Sequence, residues 1–175
     1  MSDVTQILSR IEAGEPQAAT QLQSVIEAEL RKLAAQTPAE EQNDQTLHGA
    51  VLVHEAYRQL VGFSNGDDWL TRGHFFSAAA EALRQLLLEQ VRRREGSLGT
   101  LDAEISFPLE QLVEFDRALA RLEDLDPQAA AVVKLRVFAG LTIEDSAAIL
   151  EIPAQEVSRD WSFAEAWLFR LMNKN

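Results

Sequence analysis

The sequence predicts an all-α fold of two helical domains joined by a linker. Apolar residues recur at spacings of three and four along most of the chain, as on the buried face of a helix. No stretch alternates polar and apolar residues for long enough to predict a β-strand. A segment with glycine, serine and proline, residues 95–108, interrupts the helical period between two blocks. We therefore divide the chain into residues 1–95, a linker at 96–108, and residues 109–175.

The first block predicts four helices, each with an apolar stripe on one face. Polar stretches containing proline or glycine separate the later helices and predict loops. The second of these loops contains Trp69 and Arg72. The predicted helices run from Val4 to about Ile11, Pro16 to about Ala35, Leu47 to about Val61 and His74 to about Arg94, with loops at 36–46 and 62–73.

The last third of the chain predicts a helix-turn-helix. A helix from about Leu109 to Leu122 precedes it. Asp126 and Pro127 begin a helix, because proline is tolerated in a first helical turn and an acidic side chain caps free N–H groups. Thr142 can cap the next helix, and Glu151-Ile152-Pro153 breaks the chain before a long final helix. A short helix joined by a tight turn to a longer one is the plan whose second helix enters the DNA major groove.

The charge balance argues against DNA as a strongly bound partner. The chain has 16 Lys+Arg and 28 Asp+Glu, for a net charge of −12. Residues 101–175 carry seven basic and fourteen acidic side chains (−7), and residues 1–100 carry nine and fourteen (−5). Because DNA affinity comes largely from neutralised phosphates, contact with DNA must use local clusters or a partner that supplies most of the affinity.

The sequence contains no signal for an enzyme, a cofactor or a metal site. The chain has no cysteine, which excludes disulfides and thiolate ligands. His54-Glu55 lacks the second histidine of a zinc helix, because position 58 is arginine. No G-x-S-x-G motif is present. The N-terminus lacks the pattern of a signal peptide, and no apolar stretch approaches the roughly 20 residues of a membrane span, so we expect a soluble cytoplasmic protein.

Two clusters of the first block are candidates for binding nucleic acid. The first is Arg92-Arg93-Arg94. These cations can complement the dipole at a helix C-terminus, or they can form a rim that binds phosphates, and the sequence favours both interpretations equally. The second combines Trp69, Arg72 and His74 with Phe75-Phe76, and aromatic side chains beside arginines can stack unpaired bases. We interpret the two phenylalanines as core residues, because aromatics at helical spacing usually pack inward. Trp69 and Arg72 are the better functional candidates.

The final helix has an inner and an outer face. Trp161, Phe163 and Trp167 are interpreted as core residues. The positions predicted to face a DNA groove are Gln155, Ser158, Arg159 and Ser162. Only one of these four is charged, so base recognition would depend on glutamine, the serines and one arginine.

These residues resemble a known family, the ECF (extracytoplasmic-function) sigma factors of the sigma-70 family. The resemblance rests on L-V-H-E-A-Y at 52–57, Trp69 and R-G-H-F-F-S-A-A-A-E-A at 72–82. It continues with K-L-R-V-F-A-G-L-T at 134–142, then Arg159-Asp160-Trp161 and Ala166-Trp167-Leu168. The matching motifs cover nearly the whole chain and follow one another in the right order. Within the family, the resemblance is to the subgroup with the R-G-H-F-F signature.

The resemblance implies a two-domain transcription initiation factor. Residues 1–95 would form sigma domain two and bind core RNA polymerase and the −10 promoter element. Residues 109–175 would form sigma domain four and read the −35 element with the helix from Ala154 onward. The acidic linker would lie in the nucleic-acid channel of polymerase. The implied polymerase-binding residues are His54, Glu55, Tyr57 and Arg58, and those that open the −10 element are Trp69, Arg72, His74, Arg84, Arg92, Arg93 and Arg94.

Several positions depart from the family pattern and leave two hypotheses open. The recognition helix has Ser158, Ser162 and Glu165 where the family usually carries basic residues, and Glu151 stands at a turn usually held by glycine. The first hypothesis is a working sigma factor whose polymerase partner supplies most of the DNA affinity. The alternative is a sigma-like interaction protein that has lost much of its DNA binding.

A regulatory protein that inhibits or modifies the factor is a further expected partner.

A third hypothesis is that phosphorylation near the −10 loop, at a residue such as Ser64 or Thr71, controls activity.

Overall fold

The computed structural model describes residues 3–36, 48–61, 69–93, 100–102, 106–108 and 111–174. These residues form eight α-helices, and the helices carry the fold, so the predicted all-α class is confirmed. The helices are α1 (Asp3–Glu12), α2 (Ala18–Gln36), α3 (His48–Leu60), α4 (Trp69–Arg93), α5 (Leu112–Leu125), α6 (Pro127–Val137), α7 (Ile143–Leu150) and α8 (Ala154–Met172).

A small β-hairpin lies within the segment predicted as a linker. Strand β1 (Thr100–Asp102) pairs antiparallel with β2 (Ser106–Pro108), and Thr100 lies opposite Pro108. The sequence did not predict these strands, because three residues are too few to display a period of two. The remaining linker residues, 96–99 and 103–105, lie outside the described ranges, as does the predicted loop at 37–46.

The N-terminal half, α1 to α4, is built around the long helix α4. Helices α1, α2 and α3 all contact α4. Leu22, Ile26 and Leu30 of α2 recur at spacings of four and are fully buried, which is how a helix presents one apolar face to its neighbours. Phe75 and Phe76 are 0% and 3% exposed, so their interpretation as core residues is confirmed.

Helix α4 begins five residues earlier than predicted. Trp69 and Arg72 therefore lie in its first turns, and their assignment to a loop was wrong. The prediction placed Gly73 at the end of a loop, but glycine is tolerated inside a helix at a cost of about 1 kcal/mol. Asp68, a residue type favoured at helix N-caps, directly precedes Trp69 in the sequence.

The C-terminal half, α5 to α8, follows the predicted helix boundaries closely because its capping residues function as expected. The Asp126 carboxylate accepts a hydrogen bond from the Ala129 N–H at 3.0 Å. The Thr142 hydroxyl accepts one from the Asp145 N–H at 3.1 Å and caps α7. Glu151 ends α7 in the left-handed region, with φ of 56° and ψ of 39°, the strained turn that the sequence predicted. Helix α8 follows at Ala154, completing the helix-turn-helix.

Candidate functional site

An aromatic cluster joins α3 to α4 and supports the candidate residues of both helices. The Tyr57 ring stacks on Phe76 with centroids 5.2 Å apart and meets the edge of Phe75 at 5.0 Å. His54 lies 5.3 Å from Phe76 between ring centroids. The Arg72 guanidinium lies over the Tyr57 ring, 5.8 Å from its centroid, within the range of a cation–π interaction. The structure thus brings His54, Tyr57 and Arg72 together.

The other two predicted polymerase-binding residues lie on the outer face of α3. Glu55 accepts hydrogen bonds from Arg58 and from the side-chain amide of Gln59, the latter at 3.0 Å. The hydrogen bond from Gln59, with the guanidinium of Arg58, lowers the pKa of Glu55. The Arg58 side chain is 58% exposed and that of Glu55 is 29% exposed, so Arg58 is accessible to a partner and Glu55 is partly so.

His54 differs from its neighbours because it faces the C-terminal half. Partial burial lowers the pKa of its imidazole, against the opposing effects of the Asp145 carboxylate and of a hydrogen bond with the backbone of Ala139. Arg72 lowers this pKa further. A candidate for binding a partner is therefore in contact with another part of its own chain.

Arg84, a predicted DNA-binding residue, is held between two carboxylates. Its Nη1 donates to Glu81 at 2.6 Å, and its Nε donates to Asp116 of α5 at 2.5 Å. The Arg84 side chain is only 14% exposed. Burial disfavours its charged form, but the hydrogen bond to Asp116 and the charge of Glu81 raise its pKa overall. The guanidinium is charged and already engaged.

For the remaining predicted DNA-binding residues of α4, the structure describes only some of the side chains. His74 is half-buried in the first turns of α4. Trp69, Arg92 and Arg93 lie within α4, but their side chains are outside the described set, and Arg94 lies outside the described residues. Of the second cluster, the structure therefore describes Arg72, His74 and the two phenylalanines in full.

The predicted groove-facing residues lie on one exposed face of α8. Gln155, Arg159 and Ser162 are exposed and follow one another at spacings of four and three, whereas Ser158 is half-buried. The Ser162 hydroxyl donates to the Ser158 carbonyl at 3.0 Å. The Arg159 side chain is 74% exposed, and its contacts with Glu156 and Asp160 are long, 3.9 and 4.0 Å. This cation is available to a ligand.

Two acidic residues behind this face, Glu156 and Asp160, accept hydrogen bonds from the same amide. The Gln128 Nε2 of α6 donates to Glu156 at 2.8 Å and to Asp160 at 2.6 Å. These bonds anchor the first turns of α8 to α6. They also draw the two carboxylates toward α6 and away from the exposed face.

Aromatic residues on α8 divide into a buried and an exposed group. Trp161 is 8% exposed and lies under the Arg136 guanidinium, 4.5 Å from the ring centroid, and Trp167 is half-buried. Phe163 is 43% exposed, so its assignment to the core was wrong. Phe169 is 70% exposed. The exposed face of α8 is therefore polar near the turn, and farther along it carries two exposed rings, Phe163 and Phe169, beside the exposed charges of Glu165 and Arg170.

A group of cations that sequence reasoning missed lines a groove between α5 and the end of α8. Arg117 and Arg121 of α5 lie there with Lys174, beside the apolar side chains of Leu171 and Met172. More than fifty residues of sequence separate Lys174 from the two arginines, so no local motif could reveal the group. These three cations form a local concentration of positive charge in the C-terminal half, which is acidic overall.

Neither a metal site nor a membrane span emerges from the described residues. No group of His, Asp or Glu within them could hold a metal ion. None of their helices is long and apolar enough to cross a membrane.

The sequence profile of the ECF sigma factors matches residues 1–174 of the 175-residue chain. The chain belongs to the ECF sigma factor family. This sigma factor therefore belongs to a group of non-catalytic transcription regulators that work with core RNA polymerase and promoter DNA in transcription initiation. No curated protein and no solved structure matches the chain.

Proposed function

We propose that this ECF sigma factor directs promoter-specific initiation, with residues 1–95 as sigma domain two and 109–175 as sigma domain four. We also place it in the subgroup with the R-G-H-F-F signature, which it carries at 72–76. The observation that carries the proposal is the exposed polar face of α8, which follows a tight turn. In helix-turn-helix proteins the N-terminal residues of the second helix contact base edges.

In sigma domain four, Gln155, Arg159 and Ser162 read the −35 element. An amide can bond to adenine and a guanidinium to guanine, and each good bidentate pair contributes about 1–3 kcal/mol of discrimination. With one free-standing cation on this face, phosphate neutralisation is weak. Core polymerase therefore supplies most of the affinity, and α8 supplies the selectivity.

In sigma domain two, the exposed pair Glu55 and Arg58 binds core polymerase, together with His54 and Tyr57. The first turns of α4, with Trp69, Arg72 and His74, open the −10 element, because aromatic and basic side chains together hold unpaired bases. Arg84 and Arg92-Arg93-Arg94 add phosphate contacts further along that helix. The acidic linker, with Asp102 and Glu104, lies in the nucleic-acid channel of polymerase, and the factor acts where that polymerase is, in the cytoplasm.

The alternative function is a sigma-like regulatory protein that binds proteins and no longer reads promoters. One observation favours it specifically. The exposed face of α8 presents two aromatic rings, Phe163 and Phe169, to solvent, and exposed apolar surface commonly marks protein contacts. Ser158, Ser162 and Glu165 also stand where basic residues would strengthen DNA binding.

Initiation with purified core polymerase separates the two functions. We expect run-off transcripts from a subset of genomic fragments when the parent protein is added. The triple variant Ser158→Lys, Ser162→Arg, Glu165→Arg adds four positive charges (one, one and two) and should bind promoters more tightly and accept weaker ones, because each new phosphate contact raises affinity. A parent that initiates from no fragment would leave the regulatory protein as the function.

The polymerase contact is tested by Glu55→Arg. This change should weaken binding to core polymerase while the free energy of unfolding changes by less than about 1 kcal/mol, as surface changes usually do. Glu12→Arg, which changes an exposed acid of α1 by the same charge, is the matched control. Equal binding by both variants would remove α3 from the polymerase interface.

Regulation remains a hypothesis at two sites. Ser64 lies outside the described residues, and Thr71 lies in α4 with its side chain outside the described set. A phosphate at either position adds negative charge beside the −10 face and should change affinity for polymerase or DNA. Equal activity of modified and unmodified protein would remove this hypothesis and the modifying protein with it.

A further inference from the structure

Gln128 of α6 and Arg159 of α8 lie beside the same two carboxylates. The Gln128 amide donates to Glu156 at 2.8 Å and to Asp160 at 2.6 Å. The Arg159 guanidinium is farther from them, at 3.9 Å and 4.0 Å. We propose that Gln128 is a positioning residue, which holds both carboxylates and thereby leaves Arg159 free to bind the −35 element. This proposal rests on the proposed function and adds a residue outside α8 to the reading of DNA.

Specific oxygen atoms show which group holds the carboxylates. Oε1 of Glu156 accepts from Gln128 and is the same atom that lies 3.9 Å from Nη2 of Arg159. In Asp160, Oδ2 accepts from Gln128, while Oδ1 lies 4.0 Å from Nε of Arg159. A charge-assisted N–H···O bond is about 2.7–2.9 Å long, so neither contact of the arginine is a hydrogen bond. An amide has two N–H donors, which suffice for one bond to each carboxylate.

The first turn of α6 fixes the position of this amide. Pro127 lies at the start of the helix, and the Asp126 carboxylate caps it by accepting from the Ala129 N–H at 3.0 Å. Gln128 lies within this capped turn and is half-buried, and α6 packs against α8. Because the cap restrains the turn, the amide is held beside the start of α8.

Burial makes the hydrogen bond to Asp160 difficult to replace. Asp160 is 8% exposed, and a buried carboxylate without a partner is strongly disfavoured. Gln128 satisfies this carboxylate from the side of α8 that packs against α6. Loss of the amide would therefore leave Asp160 in need of another donor.

Arg159 is the donor that would take the place of Gln128. Among the residues that the structure describes, it is the only Lys or Arg within 4.0 Å of either carboxylate. Glu156 and Arg159 are three positions apart, a spacing at which helical side chains are neighbours. Arg159 is 74% exposed, so its side chain is free to move the roughly 1 Å that separates the present contacts from an ion pair. A paired guanidinium has fewer donors left for a guanine edge and less charge for a phosphate.

A double-mutant cycle measures this coupling. The full-length factor is titrated into a fluorescent duplex that carries the −35 element of a promoter it transcribes, at low salt and without polymerase. Gln128→Met keeps the length of the side chain and removes both N–H donors, and we expect it to weaken binding by roughly fivefold or more, a large part of what Arg159 contributes. In Arg159→Ala, where no guanidinium can be captured, adding Gln128→Met should change the affinity by about twofold or less.

Two further variants control for side-chain type and charge. Gln23→Met makes the same change at a half-buried glutamine of α2, in the N-terminal half, and should bind DNA like the parent. Glu156→Gln removes one competing carboxylate and should raise the affinity of Gln128→Met by a larger factor than it raises that of the parent. Circular dichroism at the temperature of the titration verifies that each variant is folded.

A measurement on the parent alone does not depend on the folding of any variant. In NMR spectra of arginine side chains, a free guanidinium rotates rapidly about its Nε–Cζ bond, whereas an ion pair slows that rotation. We expect rapid rotation for Arg159 and slow rotation for Arg84, which is bonded to Glu81 and Asp116. Slow rotation of Arg159 in the parent without DNA would show that the carboxylates already hold it, and would overturn the proposal.

The outcomes separate this proposal from the function beneath it. If the parent binds the promoter duplex and Arg159→Ala weakens that binding, but Gln128→Met binds like the parent, the positioning role is wrong and the function stands. An equal loss from Gln128→Met with and without Arg159 makes the amide a structural anchor and overturns the positioning role as well. If the parent neither initiates from any genomic fragment nor prefers any duplex over a scrambled one, the proposed function fails, and the role of Gln128 in reading DNA fails with it.

Discussion

The described DNA-binding candidates of the N-terminal half are engaged within the chain, whereas most of those in the C-terminal half are exposed. Arg84 is 14% exposed and bonded to two carboxylates, while Arg159 is 74% exposed and has only long contacts. Arg72 and His74 are half-buried, while Gln155 and Ser162 face solvent. Under the proposed function, one DNA-binding surface of this sigma factor is covered within the chain while the other is already presented. In that function, recognition of the −35 element by α8 and opening of the −10 element by α4 are separate events.

The largest expected effect comes from removing the support beneath α8. Trp161→Ala should lower the free energy of unfolding by about 3–5 kcal/mol, because it leaves a cavity and removes the ring beneath Arg136. Urea unfolding of the full chain measures this. Phe169→Ala, on the exposed side of the same helix at 70% exposure, is the control and should change stability by about 0.5 kcal/mol or less. Similar losses in both variants would contradict the division between the two faces of α8.

The next effect compares the two arginines directly. Arg159→Ala should weaken binding of the factor to duplex −35 DNA without polymerase by about 1–2 kcal/mol, the loss expected for one base or phosphate contact. Arg84→Ala should leave that affinity unchanged but destabilise the fold by about 1–3 kcal/mol, because it strands Asp116 and Glu81. Fluorescence anisotropy and thermal unfolding on the same samples separate these effects. If Arg84→Ala weakens DNA binding in the absence of polymerase as much as Arg159→Ala does, the difference between the two arginines is wrong.

A smaller effect concerns the turn that presents α8. Glu151→Gly should stabilise the protein by about 1 kcal/mol, because glycine adopts positive φ without steric cost. A gain of that size raises the melting temperature by roughly 2–4 °C in a chain of this size. Ala148→Gly, inside α7, should instead cost about 1 kcal/mol. If Glu151→Gly also destabilises, the side chain makes a stabilising contact that outweighs the strain.

The smallest effect is a pH dependence at His54. Its pKa is lowered from 6.5 in the folded chain, so the unfolded state binds the proton more readily in this range. Stability from this group is therefore present above about pH 6.5 and is lost as pH falls through the lowered folded value. Thermal unfolding between pH 7.5 and 5.5 should show less loss in His54→Gln than in the parent. An identical pH profile for both proteins would exclude a contribution from His54.

The fold could be predicted from sequence where the determinants are local. Asp126 and Thr142 are capping residues, and each makes the predicted side-chain hydrogen bond to a backbone N–H. A break at 151–153 was also predicted, because the helical period stops there before Pro153, and the family resemblance placed Glu151 at a turn position usually held by glycine. The helix bounds of the C-terminal half consequently differ from prediction by only a few residues.

The errors have specific physical causes. Helical geometry places Phe163 about 200° around α8 from Trp161, so a strict count of the apolar stripe would have put it on the exposed face. Gly73 was wrongly placed in a loop, and its position beside Ile149 of α7 is one that no local pattern reveals. The bond from Arg84 to Asp116 joins residues 32 positions apart, and periodicity contains no information about such pairs.

The two exposed rings of α8, Phe163 and Phe169, also affect how the protein behaves toward copies of itself. A net charge of −12 keeps chains apart at low ionic strength. Raising salt from about 0.1 M to 1 M shortens the screening length from roughly 10 Å to 3 Å, and the exposed rings of Phe163 and Phe169 can then meet. A salt titration of this factor will therefore weaken its attraction to DNA and promote self-association at the same time, so that loss of DNA binding at high salt must be measured beside particle size.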